Sequence, residues 1–166
     1  AAGYAADQAD SCRRAMAACR EALAAYSQDR YPARYAAVKN NLAIAYLALS
    51  QVEGREENCR NALSACREGL ACISREEQPL AYAALNNSLG NAYLALAEEA
   101  EAREDLEIEE AGPGMGPERG GAKREERTGG EDFLELCQLA LEAYSLAAGI
   151  YSRDEHPWLY EQSYLL

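Results

Sequence analysis

Much is scarce in this chain, and each shortage narrows the function. In 166 residues there is one histidine (His156), one tryptophan and one phenylalanine. No apolar run approaches the ~18 residues that a membrane-crossing helix needs. Cations are outnumbered, 16 Lys and Arg against 28 Asp and Glu, and the net charge of −12 argues against nucleic acid and anionic membranes as partners, since both need basic patches. The six cysteines contain no CxxC, and His156 stands far from any ligand set, so neither a zinc site nor a bound cofactor is expected. No signal peptide is visible. The chain begins at Ala1 without methionine and reads as a fragment, and the reduced cysteines suit a cytoplasmic location.

What is present repeats. Cys12 to Leu49 and Cys59 to Leu96 align at an offset of 47, and a partial third copy starts at Cys137. A proline follows 20 residues after the first cysteine of each copy, at Pro32, Pro79 and Pro157. Self-similarity at this spacing marks stacked supersecondary units. Three of the cysteines (Cys12, Cys59 and Cys137) are thus one position seen three times, and Cys19 and Cys66 are another. They read as small buried hydrophobes.

Within a copy, apolar residues at 12, 15, 16, 19, 22, 23 and 26 trace one face of a helix. After a polar break and the proline, a second stripe follows through Tyr35, Val38, Leu42, Tyr46 and Leu49, matched by Tyr82, Leu85, Leu89, Tyr93 and Leu96. The tyrosines after each proline (Tyr35, Tyr82, Tyr160) are expected to pack at a helix start. Gly54 punctuates the join between units. The spacing predicts an all-α fold of about six helices, over 5–30, 33–52, 56–76, 80–109, 131–153 and 157–166, paired antiparallel and stacked in a single domain, 1–166.

One stretch breaks the period. Residues 98–110 hold eight acidic residues and one Arg, and are expected to prolong the fourth helix as a solvated acidic extension. Residues 111–130 hold seven of the twelve glycines and two of the five prolines, and read as a flexible inserted loop. That loop is either a tolerated surface excursion or a partner-binding element.

The phrase LGNAYLAL at 89–96, followed by helices bearing A-L-x-x-C/Y-x-x-G/A, resembles the tetratricopeptide repeat (TPR). Leu89, Gly90 and Tyr93 match its first helix, as do Leu42 and Tyr46 with Ala43 in the glycine place. Ala62, Cys66 and Gly69 fill its second-helix positions, and so do Ala140, Tyr144 and Ala147. The unit exceeds the usual ~34 residues. Residues 55–93 are similar to a long-repeat bacterial subtype found beside caspase-like peptidase or signalling NTPase domains. The resemblance implies a right-handed α-solenoid whose concave groove binds a peptide or protein segment, as an adaptor or regulatory arm.

Asparagine is the residue to watch in such a groove, because its amide both donates and accepts toward a peptide backbone. Asn40, Asn41, Asn87 and Asn91 are the candidate contacts, with Lys39 and Arg34 as neighbouring cations. The alternative is that an asparagine in each copy bonds the next helix and holds the stack in register. The acidic balance favours a partner segment with basic residues. Catalysis has little support: the carboxylates cluster in a solvated run, and His156 holds a turn position occupied elsewhere by Tyr31 and Gln78. The chain therefore reads as a non-enzymatic interaction module. The second reading is a self-associating scaffold, a homo-oligomer formed through an uncovered terminal helix at 157–166.

Overall fold

A computed structural model describes residues 2–111 and 133–151. Everything regular among them is helical: α1 (Ala2–Ala25), α2 (Pro32–Ser50), α3 (Arg55–Leu70), α4 (Pro79–Ala111) and α5 (Phe133–Ala148). Of the loop expected at 111–130, Ala111 closes α4 and the rest lies outside the described residues, as do the sixth helix expected at 157–166 and His156. No described helix is long and apolar enough to cross a membrane.

The helix starts follow from local chemistry. Pro32 and Pro79 open α2 and α4, where a missing N–H costs nothing and φ is already helical. Gly54 precedes α3 at φ 55, the one left-handed residue among those described, and this reverses the chain after α2. Asn58 Nδ2 braces the reversal by donating to the Glu53 carbonyl at 2.9 Å. Glu56 and Glu57 in the first turn of α3 and Arg67 in its last turn complement the helix dipole.

The helices that precede each proline stop five or six residues earlier than the periodicity suggests. The reason is a repeated corner. Tyr31 N donates to Ser27 O and Gln78 N to Ser74 O, both at 3.0 Å, so a separate turn intervenes between helix end and proline. Ser74 Oγ also accepts from Glu77 N, the kind of local side-chain bond by which serine competes with continued helix. At the end of α5 the chain meets Gly149.

Each helix packs on the next, and α2 also touches α4; α1, α3 and α5 do not touch one another. Successive helices are antiparallel. Arg13 near the start of α1 reaches Glu53 just past the end of α2, and Tyr35 early in α2 reaches Glu68 late in α3. One arginine–tyrosine contact occurs at both equivalent seams: Arg20 to Tyr46 (3.3 Å) and Arg67 to Tyr93 (2.7 Å).

The core is dominated by alanine, leucine and cysteine, with Ala36, Ala43, Cys59, Ala62, Cys66, Leu85 and Ala92 fully buried. Small side chains let the axes come close, and two glycines mark the tightest approaches. A Cβ on Gly69 would lie 2.9 Å from Leu85 Cδ2 and 3.3 Å from Lys39 Cβ, where α2, α3 and α4 meet. The equivalent positions one unit earlier are Ala22 and Val38, so one carbon has moved across the seam and the side-chain total is kept. A Cβ on Gly90 would lie 2.7 Å from Tyr144 Cε1. The equivalent pair there is Ala43 and Cys66: a smaller residue faces a larger one, and the reverse.

Cysteine occupies these close contacts as a hydrophobe. Cys12, Cys59 and Cys66 are buried, Cys19, Cys72 and Cys137 half-buried, and all six are free thiols. Burial pushes the Cys66 thiol up to about 12.

Candidate functional site

The six candidate residues, all on α2 or α4, separate into three environments. Lys39 faces away from the asparagines, whereas Arg34 lies seven residues before Asn41 on the same exposed side of α2. Lys39 is only 9 % exposed and faces α3, where its Nζ lies 2.6 Å from Glu68 Oε2 and 5.3 Å from the Tyr35 ring centre. Burial works against the ammonium, but the hydrogen bond and charge of Glu68 outweigh it, and the Lys39 pKa is raised. Burial likewise opposes the Glu68 carboxylate. Lys39, then Ser64 and Tyr35 as donors, hold its pKa below the ordinary value. Arg34 is exposed at the α1–α2 corner, its guanidinium 5.2 Å from the Tyr26 ring centre and 5.9 Å from that of Tyr31.

Two asparagines bind neighbouring helices. Asn40 Oδ1 accepts from Ser88 Oγ at 2.9 Å, which ties α2 to α4. Asn91 Oδ1 accepts from the Tyr144 hydroxyl at 2.6 Å, which ties α4 to α5 across Gly90. Asn91 is nonetheless exposed. Asn86, next to the candidates, is 2 % exposed and donates to the Tyr82 carbonyl in its own helix.

Asn41 and Asn87 are exposed. Their positions explain why. Asn87 is the equivalent of Asn40, and Ser88 the equivalent of Asn41. The bond between α2 and α4 therefore joins the Asn40 position of one helix to the Asn41 position of the next. Asn41 and Asn87 are the two halves of that bond left over at either side.

The exposed stripe around these amides has a character the sequence pattern did not announce. On α2 it runs through Ala37, Asn41 and Ile44, the last 50 % exposed. On α4 it runs through Leu80, Asn87, Asn91 and Leu94, with Leu80 at 41 % and Leu94 at 42 %. From Pro79 to Ala97, α4 carries no charged residue at all. In a chain of net charge −12, a neutral surface of amides and aliphatics shared by two touching helices is unlike the rest of the exterior. The apolar spacing does not mark out Ile44 and Leu94, because both helices are apolar on several sides and no single stripe distinguishes them. The usable signal was the absence of charge.

Chemically, this surface can hydrogen-bond a peptide backbone and bury aliphatic side chains. Among the described residues no three of His, Cys, Asp or Glu converge as a metal site would require.

These features define a class: an all-α fold, among the described residues, of antiparallel neighbours in which α2 and α4 also touch beside a neutral face. Comparison with family models, curated proteins and solved structures gives no match.

Proposed function

We propose that the chain is a protein-interaction module of the TPR type, a right-handed α-solenoid of about six helices in one domain. Its working surface is the shared exposed face of α2 and α4, and its occupant is a segment of another protein. The observation that carries this reading is the uncharged strip of Asn41, Ile44, Asn87, Asn91 and Leu94 on two helices that touch. Apolar exposed patches rimmed by polar groups are the usual mark of a recognition surface. The floor of the strip holds no ion, so the central part of the partner segment is neutral and aliphatic. Basic residues on its flanks would meet the acidic remainder of the molecule and speed encounter more than they strengthen binding. Lys39 is occupied with Glu68 and Arg34 with tyrosines, which makes the asparagines and aliphatics the better candidates for contact.

The test is selection of random peptides on the immobilised chain, compared with a variant carrying Ile44→Glu and Leu94→Glu. Both positions are exposed, so the variant keeps its fold. The expected result is enrichment of apolar peptides that lose the variant. Equal retention by both proteins sinks the reading.

A second reading, self-association as a scaffold, is favoured by α5. Leu134 and Leu141 lie two turns apart and are 65 % and 67 % exposed, whereas Leu63, the equivalent of Leu141, is 4 % exposed in the core. Light scattering across concentration, with and without Leu141→Glu, decides it: a mass that does not rise with concentration rules it out.

A further inference from the structure

Two corners of the chain share a backbone and differ in their side chains. The turns before α2 and α4 are closed by the same bond, Tyr31 N to Ser27 O and Gln78 N to Ser74 O, both at 3.0 Å. Tyr26, Arg30, Tyr31 and Arg34 at the first corner correspond to Ile73, Glu77, Gln78 and Ala81 at the second. None of the four is kept, so the turn does not require them. They form a cluster instead. The rings of Tyr26 and Tyr31 meet edge to face with centres 5.8 Å apart. The Arg34 guanidinium lies 5.2 Å from the Tyr26 centre and 5.9 Å from that of Tyr31, and the Arg30 guanidinium 5.7 Å from Tyr31. Stacking engages the face of a guanidinium and leaves its edge of N–H donors open. Both arginines are exposed, and among the described residues neither has a carboxylate within ion-pair distance. The start of α2 adds to their charge. Its first turn holds no acid and no side chain caps it. The N–H groups of Ala33 and Arg34 precede the first helical bond, which Tyr35 N makes to Tyr31 O at 2.8 Å. A cation in a first turn opposes the helix dipole, and α3 places Glu56 and Glu57 there. Two guanidiniums and a positive helix end thus share one corner of a chain of net charge −12.

We propose that this corner binds a phosphoryl group carried by the partner segment that lies along the α2–α4 strip. Guanidinium forks match the oxygens of phosphate two at a time, and rings that already hold them reduce the ordering that binding demands. A helix start supplies N–H donors to the same kind of anion. A phosphorylated side chain carries close to two negative charges, which balances Arg30 and Arg34 where a single carboxylate does not. The strip continues from the corner: Arg34, Asn41 and Ile44 lie on one exposed side of α2. Arg34 precedes Asn41 by about 10 Å and Ile44 by about 15 Å along the helix axis. An extended segment covers those lengths in about three and about five residues. The phosphorylated residue therefore stands about three to five positions from the aliphatic part of the segment. The inference rests on the proposed function for the course of that segment, and adds an anionic end to it.

The probes are randomised peptide mixtures with a fixed central phosphoserine, phosphothreonine or phosphotyrosine, each beside its unphosphorylated form, passed over the immobilised chain. One phosphorylated mixture should be retained at least tenfold over its control, with apolar residues enriched about three to five positions from the phosphate. For an enriched sequence read by anisotropy, Arg34→Ala should weaken binding at least tenfold and Arg30→Ala at least threefold, with Arg34→Lys intermediate. Circular dichroism melting of these variants should match wild type, since both positions are exposed. Equal retention of phosphorylated and unphosphorylated forms overturns the proposal, as does equal binding of a peptide with glutamate in place of the phosphorylated residue. If the peptides retained in those cases are lost through Ile44→Glu and Leu94→Glu, the proposed function stands without the phosphate site. A phosphopeptide that needs Arg34 but is indifferent to Ile44→Glu and Leu94→Glu upholds the phosphate site and overturns the proposed function. Retention of no peptide overturns both. Vesicles bearing phosphoinositides that bind in preference to every phosphopeptide would place a lipid headgroup in the corner and overturn the proposal likewise.

Discussion

Alanine at position 90 should change sign with its neighbour. In a helix interior, replacing glycine by alanine gains about 1 kcal/mol from propensity alone. At Gly90 the new methyl would sit 2.7 to 2.9 Å from three ring atoms of Tyr144. Ordinary contact starts near 3.4 Å, so the ring must retreat by about 0.7 Å. Its hydroxyl is held by Asn91 at 2.6 Å, and retreat stretches or breaks that bond. Forcing an extra methyl into a packed seam costs about 1–3 kcal/mol, and the lost hydrogen bond about 1 kcal/mol more. Gly90→Ala should therefore destabilise the chain by about 1–3 kcal/mol net of the propensity gain. In a Tyr144→Cys background, which copies the pair Ala43 and Cys66, the obstacle is gone and the same substitution should stabilise by about 0.5–1 kcal/mol. Urea unfolding followed at 222 nm on the four proteins of the cycle measures both values. If Gly90→Ala stabilises the wild type, the argument from close approach at this seam is wrong.

Other expectations follow from particular contacts. Ser88→Ala should cost about 1 kcal/mol, with a coupling to Asn40→Ala of about 0.5–1.5 kcal/mol in a double-mutant cycle, since the two share one bond between α2 and α4. Glu68→Gln should cost about 1–2 kcal/mol, a figure moderated because the Glu68 side chain is 47 % exposed while that of Lys39 is 11 % exposed. The Glu68 pKa is lowered by folding, so its contribution is present above the ordinary carboxylate pKa and fades as pH falls through the lower folded value. The urea midpoints of wild type and Glu68→Gln should accordingly converge toward acid. Brief alkylation at pH 8 of the native chain, read by mass spectrometry, should leave Cys66 unmodified and label the half-buried Cys19, Cys72 and Cys137 first; rapid labelling of Cys66 would contradict its burial.

The amino-acid sequence carried the helices and their order because apolar spacing and three prolines say the same thing at every unit. The starts of α2 and α4 fall within a residue of expectation, as Pro32 and Pro79 require. The ends of α1 and α3 do not, because the turns at 27–31 and 74–78 use residues that propensity alone would allow in a helix. Asn40 and Asn41 show the same limit at the level of the site. They are adjacent in sequence but about 100° apart around the helix. One bonds Ser88 and the other faces outward, a difference set by where α4 lies. Lys39 reads in the sequence as a cation neighbouring the asparagines because its counter-charge, Glu68, is 29 residues away. The recurrence of Arg20 and Tyr46 as Arg67 and Tyr93 was visible in the repeat, and only their contact was not.

The exchanged sizes at the seams bear on how such a gene can change. Duplicated segments invite recombination between copies, which here would excise 47 residues in frame and bring α5 directly after an α2-like helix. That product would set Tyr144 against the methyl of Ala43, and Lys39 beside Leu146 instead of Glu68. The shortened protein would carry both a collision and an uncompensated buried cation. The two units have diverged in complementary pairs, and each pair makes the loss of a unit costly to the cell that suffers it.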